Sequence, residues 1–132
     1  MTVGDVMMRN LLTADAATPL QTAAERMCDR GIGAVLILSG ETISGILTER
    51  DVLRAVAQGR VEGTNVAAWM TRDPETVSPG ESPSIAAGIM LRGGFRHLPV
   101  VDGTRPVGIV SIRDLMRVAV DDDDDDDDDD ES

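Results

Sequence analysis

The amino-acid sequence predicts an α+β fold made of two β-α-β-β-α repeats that pack against each other about a pseudo-twofold axis. Internal similarity is the main evidence: at an offset of 63 residues, fourteen of 55 aligned pairs are identical. Three of the identical pairs are glycines at places where the chain geometry is special, which indicates that the two halves share one backbone. These pairs are Gly31 with Gly94, Gly40 with Gly103 and Gly45 with Gly108.

The first repeat opens with a predicted short helix near Asp5–Met8 and a strand at Leu11–Thr13. A longer helix then follows, with Thr18 as its N-cap residue and Pro19 at its first position. Cys28 is expected on the apolar stripe of this helix, and Gly31 ends it. The pattern therefore predicts a strand followed by an amphipathic helix.

Two β-type runs come next, Ala34–Leu38 and Ile43–Leu47, and a closing helix covers Glu49–Ala57. The second repeat has the same order, and an Asp-Gly pair indicates a hairpin between its last two strands. Its predicted elements are strands at Thr76–Val77, Leu98–Val101 and Val107–Val110, a helix from Ser82–Pro83 to Gly93–Gly94, and a closing helix at Ile112–Val120. Two helices cover only one face of each small sheet, so the halves are expected to pair through the other face.

These patterns divide the chain into repeat 1 (residues 1–57), a linker (58–65), repeat 2 (66–120) and an acidic tail (121–132). The net charge of −12 comes from 24 acidic and 12 basic residues, and the tail holds 11 of the acids. The rest has 24 − 11 = 13 acids against 12 bases, so its charge is about −1. The poly-Asp tail is expected to be disordered. A solubility role, weak divalent-cation binding, attraction of a basic partner and autoinhibition all remain open.

Several classes of function are disfavoured by composition. No apolar run approaches the ~20 residues of a membrane span, and no secretory leader is evident, so a cytoplasmic protein is expected. The lone cysteine, Cys28, cannot form an internal disulfide. The near-neutral body lacks the basic excess and the aromatic residues that nucleic-acid binding requires. No nucleophile is paired with a base and no metal-ligand cluster is evident, so an enzyme is not expected.

Three segments carry a resemblance to a known family. They are Gly45–Asp51 (GILTERD), its counterpart Gly108–Asp114 (GIVSIRD), and Phe95–Asp102 (FRHLPVVD). Together with the repeat spacing, they resemble a tandem cystathionine-β-synthase (CBS) domain pair, also called a Bateman module. The resemblance covers residues 1–120 and does not extend to the acidic tail.

The main candidate binding residues form two matching pairs, Thr48 with Asp51 and Ser111 with Asp114. Each pair precedes a predicted helix, where Ser/Thr-x-x-Asp is also an ordinary capping box. A helix N-terminus attracts phosphate, and a carboxylate there can accept hydrogen bonds from a ribose diol. Capping and binding are compatible. The resemblance implies that the aspartates hold the ribose of an adenosine-type ligand and that Thr48 and Ser111 lie near ribose or phosphate.

Arg96 and His97 precede a buried strand, where they could meet a phosphate, and the resemblance implies phosphate recognition by this strand. Their counterparts, Gly33 and Ala34, are uncharged, so the two clefts are expected to differ.

Four further candidates have equally good structural explanations. Arg50 and Arg113 could reach phosphates from the helix starts, or could be solvated surface arginines. Thr13 and Thr76 could present backbone groups to adenine, as the resemblance implies, or could reflect strand propensity alone.

The expected function is that of a regulatory module. The resemblance implies that AMP, ADP or ATP binds between the repeats, with S-adenosylmethionine as an alternative ligand. Mg²⁺ would enter only alongside ATP, and no other cofactor is required. Ligand binding would bias the placement of the halves. A homodimer and an effector protein acting in trans are the expected partners, with no nucleic acid or membrane. The alternative is a ligand-independent protein-interaction module whose acidic tail recruits a basic partner.

Overall fold

A computed structural model describes residues 1–118. The predicted acidic tail (121–132) and the end of the last predicted helix lie outside the described residues. The first half contains α1 (Val3–Val6), β1 (Thr13–Ala14), α2 (Leu20–Arg30), β2 (Ala34–Ser39), β3 (Thr42–Thr48) and α3 (Glu49–Ala57). The second contains a 3-10 turn (Val66–Ala68), β4 (Thr71–Arg72), α4 (Pro83–Gly93), β5 (His97–Asp102), β6 (Arg105–Ser111) and α5 (112–118).

The elements of the two halves coincide at the same offset as the sequence repeat, which confirms the predicted α+β double repeat. In the first sheet β1 pairs in parallel with β2, and β2–β3 is an antiparallel hairpin. In the second sheet β5–β6 is the equivalent hairpin. Both hairpins turn through a glycine at positive φ, Gly40 at 63° and Gly103 at 67°, where a side chain would be strained. No helix within residues 1–118 is long and apolar enough to cross a membrane.

The segment that leads into each repeat packs on the other repeat. Met8 exchanges backbone hydrogen bonds with Ile109 of β6, at 2.8 and 3.0 Å. At the equivalent place Thr71 of β4 pairs with Ile46 of β3, so β4 completes the first sheet in the order β1-β2-β3-β4. Val3 also donates to the carbonyl of Glu81 (2.8 Å). Each sheet is therefore completed by a strand or bridge from the other half.

The apolar side chains form two cores, and each core combines residues of one repeat with residues from the lead segment of the other. The first core, around Leu20 and Leu47, includes Val66 and Trp69 from the lead segment of the second repeat. The second core similarly includes Val3 from the chain start. The two sheets meet in a third cluster of buried residues, which are Ala34, Leu36, Ile46 and Ile109. The sheet face that two helices leave uncovered is thus buried against its counterpart, as the sequence predicts.

Helix ends explain where α2 and α4 begin and stop. Ser82 caps α4, with its Oγ accepting from the N–H of Ile85 (3.3 Å), and α2 and α4 end at left-handed glycines, Gly31 and Gly94. The prediction of Thr18 as the N-cap of α2 is wrong. Its hydroxyl accepts from the N–H of Asp15 instead (3.2 Å), because the chain before α2 is extended and pairs with residues 64–66.

Smaller differences concern the edges of elements. Cys28 is exposed rather than buried, because Ala23 and Met27 occupy the core-facing positions of α2. The first helix lies at Val3–Val6 instead of Asp5–Met8, and the first strand at Thr13–Ala14 instead of Leu11–Thr13. The strand predicted at Thr76–Val77 is reduced to a parallel bridge between Val77 and Val100.

The lead segments of the two repeats run so close to β6 and β3 that each of these strands needs a glycine at the point of contact. A Cβ on Gly45 would lie 2.9 Å from the carbonyl oxygen of Thr71, and one on Gly108 would lie 3.0 Å from that of Met8. We expect Gly45→Ala and Gly108→Ala each to lower the free energy of unfolding by about 1–3 kcal/mol, because a paired backbone segment must move. Urea unfolding measures this change.

Gly80→Ala is the matched control, because no atom lies within 4 Å of the added Cβ and the backbone there is ordinary. Its effect should stay within about 0.5 kcal/mol. Equal stabilities for all three variants would contradict the close approach of the lead segments.

Candidate functional site

A cleft of about 720 Å³ lies between the two repeats. The first repeat contributes the end of α2 and the start of β2, and the second contributes the start of β5 and the junction of β6 with α5. The small residues Gly33 and Ala34 form part of its wall. Five of the ten predicted site residues line it, all from the second repeat: Arg96, His97, Ser111, Arg113 and Asp114.

Ser111 and Asp114 form a capping box at the start of α5. The N–H of Asp114 donates to Oγ of Ser111 (3.1 Å), and the N–H of Ser111 donates to Oδ2 of Asp114 (3.2 Å). Within residues 1–118 this is the one hydrogen bond that the Asp114 carboxylate accepts. Because a carboxylate has about four acceptor sites, Asp114 retains capacity for a hydroxyl-bearing ligand.

Asp51 is more fully engaged than Asp114. Its Oδ2 accepts from the backbone N–H of Thr48 (2.9 Å) and from the Thr48 hydroxyl (3.2 Å). Its Oδ1 accepts from Nη1 of Arg54 (3.1 Å), and Asp51 is only 6% exposed. The two repeats thus carry the same motif, but the Asp51 carboxylate accepts more hydrogen bonds than the Asp114 carboxylate does.

The other five predicted residues are not among those that line the 720 Å³ cleft. Thr48, Arg50 and Asp51 stand at the start of α3, beside the lining residues Glu49 and Val52, and the exposed residues Thr13 and Thr76 lie beside the hairpins. A second cavity of about 490 Å³ is lined by Asp15, Met70 and Arg72, among others, and by none of the ten predicted residues.

Two charged residues of the cleft, Glu49 and Arg117, are absent from the ten predicted site residues. Arg117 carries a signal in the sequence, because it lies one helical turn after Asp114 and matches Arg54 in the repeat. Glu49 had no such signal, because its counterpart is Ile112 and it enters the cleft from the opposite repeat. Arg96, Arg113 and Arg117 therefore share the cleft with two carboxylates, those of Glu49 and Asp114.

His97 lies in the same cleft, within electrostatic range of Glu49, Asp114 and Arg96. A Cβ on Gly33 would be 2.8 Å from Oε1 of Glu49 and 3.5 Å from Nε2 of His97, so both side chains converge on this glycine. Burial lowers the pKa of His97 below its ordinary value of 6.5; Glu49 and Asp114 oppose this shift and Arg96 adds to it. The imidazole is thus neutral near pH 7.

Capping boxes in this chain also occur without a cleft. Thr2 and Asp5 form one at the start of α1, with the N–H of Thr2 donating to Asp5 Oδ2 (2.7 Å). This bond lowers the pKa of Asp5, as a hydrogen bond to the ionised form should. A Ser/Thr-x-x-Asp motif alone is therefore structural, and it is the surroundings of Asp114 that distinguish it. Within residues 1–118, no three His, Cys, Asp or Glu side chains are grouped to hold a metal ion.

Comparison with known proteins agrees with this architecture. The CBS domain model matches residues 3–58 and 66–121. The chain is 34% identical over 114 residues to the CBS domain-containing protein YhcV of Bacillus subtilis, covering 86% of this chain and 81% of YhcV. It is 32% identical over 121 residues to the uncharacterized protein MJ1225 of Methanocaldococcus jannaschii, covering 91% of this chain but only 43% of that protein.

Solved structures show the same fold. A putative signal-transduction protein with CBS domains from Burkholderia ambifaria superposes with a TM-score of 0.86 at 34% identity, covering 92% of this chain and 96% of that one. The CBS domain pair of MJ0100, in complex with 5′-methylthioadenosine and S-adenosyl-L-methionine, gives 0.83 at 28% identity, with 89% and 94% coverage. CBSX2 of Arabidopsis thaliana, in complex with AMP, gives 0.79 at 26% identity, with 91% and 96% coverage. The chain described above therefore belongs to the CBS domain family and consists of two CBS domains in tandem.

Proposed function

We propose that this protein is a regulatory module that binds one adenosine-containing nucleotide, AMP, ADP or ATP, in the cleft between its repeats. The observation that carries the proposal is the open acceptor capacity of Asp114 beside a group of cations. Two ribose hydroxyls can donate to the Asp114 carboxylate, and the start of α5 adds the positive potential of a helix N-terminus.

The charges of the cleft favour a ligand with a phosphate. Arg96, Arg113 and Arg117 line one cavity with Asp114, and guanidinium groups bind phosphate oxygens in bidentate geometry. Glu49 limits the net positive charge. We therefore expect the cleft to bind AMP more tightly than the more highly charged ATP. Mg²⁺ would bind only together with ATP.

The ligands of similar proteins support an adenosyl compound. Structures of MJ0100 with S-adenosyl-L-methionine and of CBSX2 with AMP have the same fold as this chain. A cleft of about 720 Å³ is within the usual range for a small-molecule site. S-adenosylmethionine is the competing ligand, and its ammonium and sulfonium groups would meet the arginines unfavourably.

We expect nucleotide binding to change the relative placement of the two repeats, and an effector protein to recognise that change. The cleft is bounded by both repeats, so a bound nucleotide would bias their relative placement. The exposed apolar residues Leu53 and Met116 occupy equivalent positions on α3 and α5. They favour a homodimer formed through these helices, with an effector protein acting in trans and no catalytic turnover.

Asp114→Asn tests the ribose contact. The amide cannot accept on both atoms and carries no charge, so we expect affinity for AMP to fall about tenfold or more. Isothermal titration calorimetry with AMP measures the change. Asp102→Asn, at an exposed position outside the cleft, removes the same charge and should bind like the wild type.

Loss of binding in both variants would point to a general charge effect. A wild-type protein that binds none of AMP, ADP, ATP or S-adenosylmethionine at millimolar concentration would contradict the sensor function and leave the protein-interaction module.

Arg96→Met tests the phosphate contact. The variant keeps an apolar stem but loses the guanidinium, so affinity for AMP should fall about tenfold while affinity for adenosine is nearly unchanged. Titrating both ligands into both proteins gives the ratio. An equal loss for AMP and adenosine would place Arg96 away from the phosphate.

The pKa of His97 predicts a pH dependence of stability. Because burial lowers this pKa in the folded protein, the unfolded chain binds a proton more readily as the pH falls through 6.5. His97 should therefore make the folded state less stable below pH 6.5 and have no effect well above it.

We expect the melting temperature of the wild type to fall more between pH 7 and pH 5.5 than that of His97→Gln. His97 is the only histidine of the chain, so its NMR titration reports the pKa directly. A midpoint at or above 6.5 would show that burial does not dominate at this site.

A further inference from the structure

The aspartates of the two motifs differ in how many hydrogen bonds they already accept. The Asp51 carboxylate accepts three, two from Thr48 and one from Arg54. That of Asp114 accepts one within residues 1–118. A ribose diol that approached Asp51 would have to displace Arg54 from Oδ1, whereas at Asp114 it would meet free acceptor sites.

Arg54 is held on Asp51 by a second contact. Its guanidinium carbon lies 5.9 Å from the centre of the Trp69 ring, within cation–π range. The ring is itself fixed, because Trp69 is 9% exposed and its Nε1–H donates to Oγ1 of Thr64 (3.1 Å). An ion pair whose arginine is 56% exposed is weak alone, but here a buried aromatic ring lies against the guanidinium and orients it.

The second repeat lacks this arrangement. Arg117 is the counterpart of Arg54, but the position equivalent to Trp69 is Val6, which offers no ring. Within residues 1–118 Arg117 forms no ion pair with Asp114, and it lines the open cleft. The equivalent arginines thus differ: Arg54 binds the aspartate of its own motif, whereas Arg117 is a cation that lines the cleft.

We propose that Arg54, positioned by Trp69, occupies the ribose-binding carboxylate of the first repeat and limits the protein to one nucleotide per chain. This inference rests on the proposed function, because it assigns a ribose-binding role to Asp114 and denies it to Asp51. Arg54 is a specificity-determining residue, since it decides which of two equivalent motifs accepts a ligand.

The residues around Asp51 also determine which ligand would bind there if Arg54 were removed from its carboxylate. Where the second repeat has Arg96 and His97, the first has Gly33 and Ala34, which offer no charge to a phosphate. Release of Asp51 should therefore admit an uncharged nucleoside such as adenosine more readily than AMP.

Arg54→Met provides the test. Methionine keeps an apolar stem against Trp69 but cannot bind the carboxylate, and a side chain that is 56% exposed should tolerate the change. Equilibrium dialysis with adenosine counts the molecules bound at saturation. We expect one per chain for the wild type, two for Arg54→Met, and one again for Arg54→Met combined with Asp51→Asn.

A second readout is local to the motif. Trp69 is the only tryptophan, so its fluorescence should respond to an extra adenosine in Arg54→Met and lose that extra response in the double variant. Arg117→Met is the matched control at the equivalent position. It should still bind one adenosine, and its AMP affinity should fall about tenfold because a cleft cation is lost.

The outcomes separate the two proposals. A wild type that binds two adenosines, or an Arg54→Met variant that stays folded and binds one, overturns this inference alone. A wild type that binds no adenosine, AMP or other adenosyl ligand overturns both.

Discussion

The crossed pairing of the lead segments is the constraint on which the rest of the structure depends. Met8 hydrogen-bonds to Ile109, and Thr71 pairs with Ile46 at the equivalent place. Because each segment is covalently part of one repeat and structurally part of the other, the halves are held in one register. That register brings the small wall at Gly33 opposite the polar end of β6, and so creates the cleft.

Because the two halves share one backbone, their equivalent residues can be compared directly. Both halves carry an aspartate at the first turn of a helix, and in both the aspartate stabilises that turn. What differs is whether the arginine one helical turn later binds the remaining carboxylate oxygen: Arg54 binds Asp51, whereas within residues 1–118 Arg117 forms no ion pair with Asp114. The first motif also depends on Trp69, which the lead segment of the second repeat places against Arg54.

Local signals in the sequence predicted most of the fold, and five of the ten predicted site residues line the cleft. Glycine positions and hydrophobic periodicity gave α2, α4 and both hairpins, because helix ends and turns depend on nearby residues. Thr18 and Cys28 were misplaced because long-range pairing and packing decided their environments. Glu49 could not be predicted as a cleft residue, since it reaches the site only through the pseudo-twofold packing. Asp51 and Asp114 look identical in sequence, and only the three-dimensional contacts separate them.

The exchanged segments also bear on how such a chain could arise. A single repeat would lack the strand that pairs with Ile46 or Ile109, and its core would lack the lead-segment residues. A second copy could supply both by the same exchange. The present chain is therefore equivalent in topology to a domain-swapped dimer whose protomers are joined end to end.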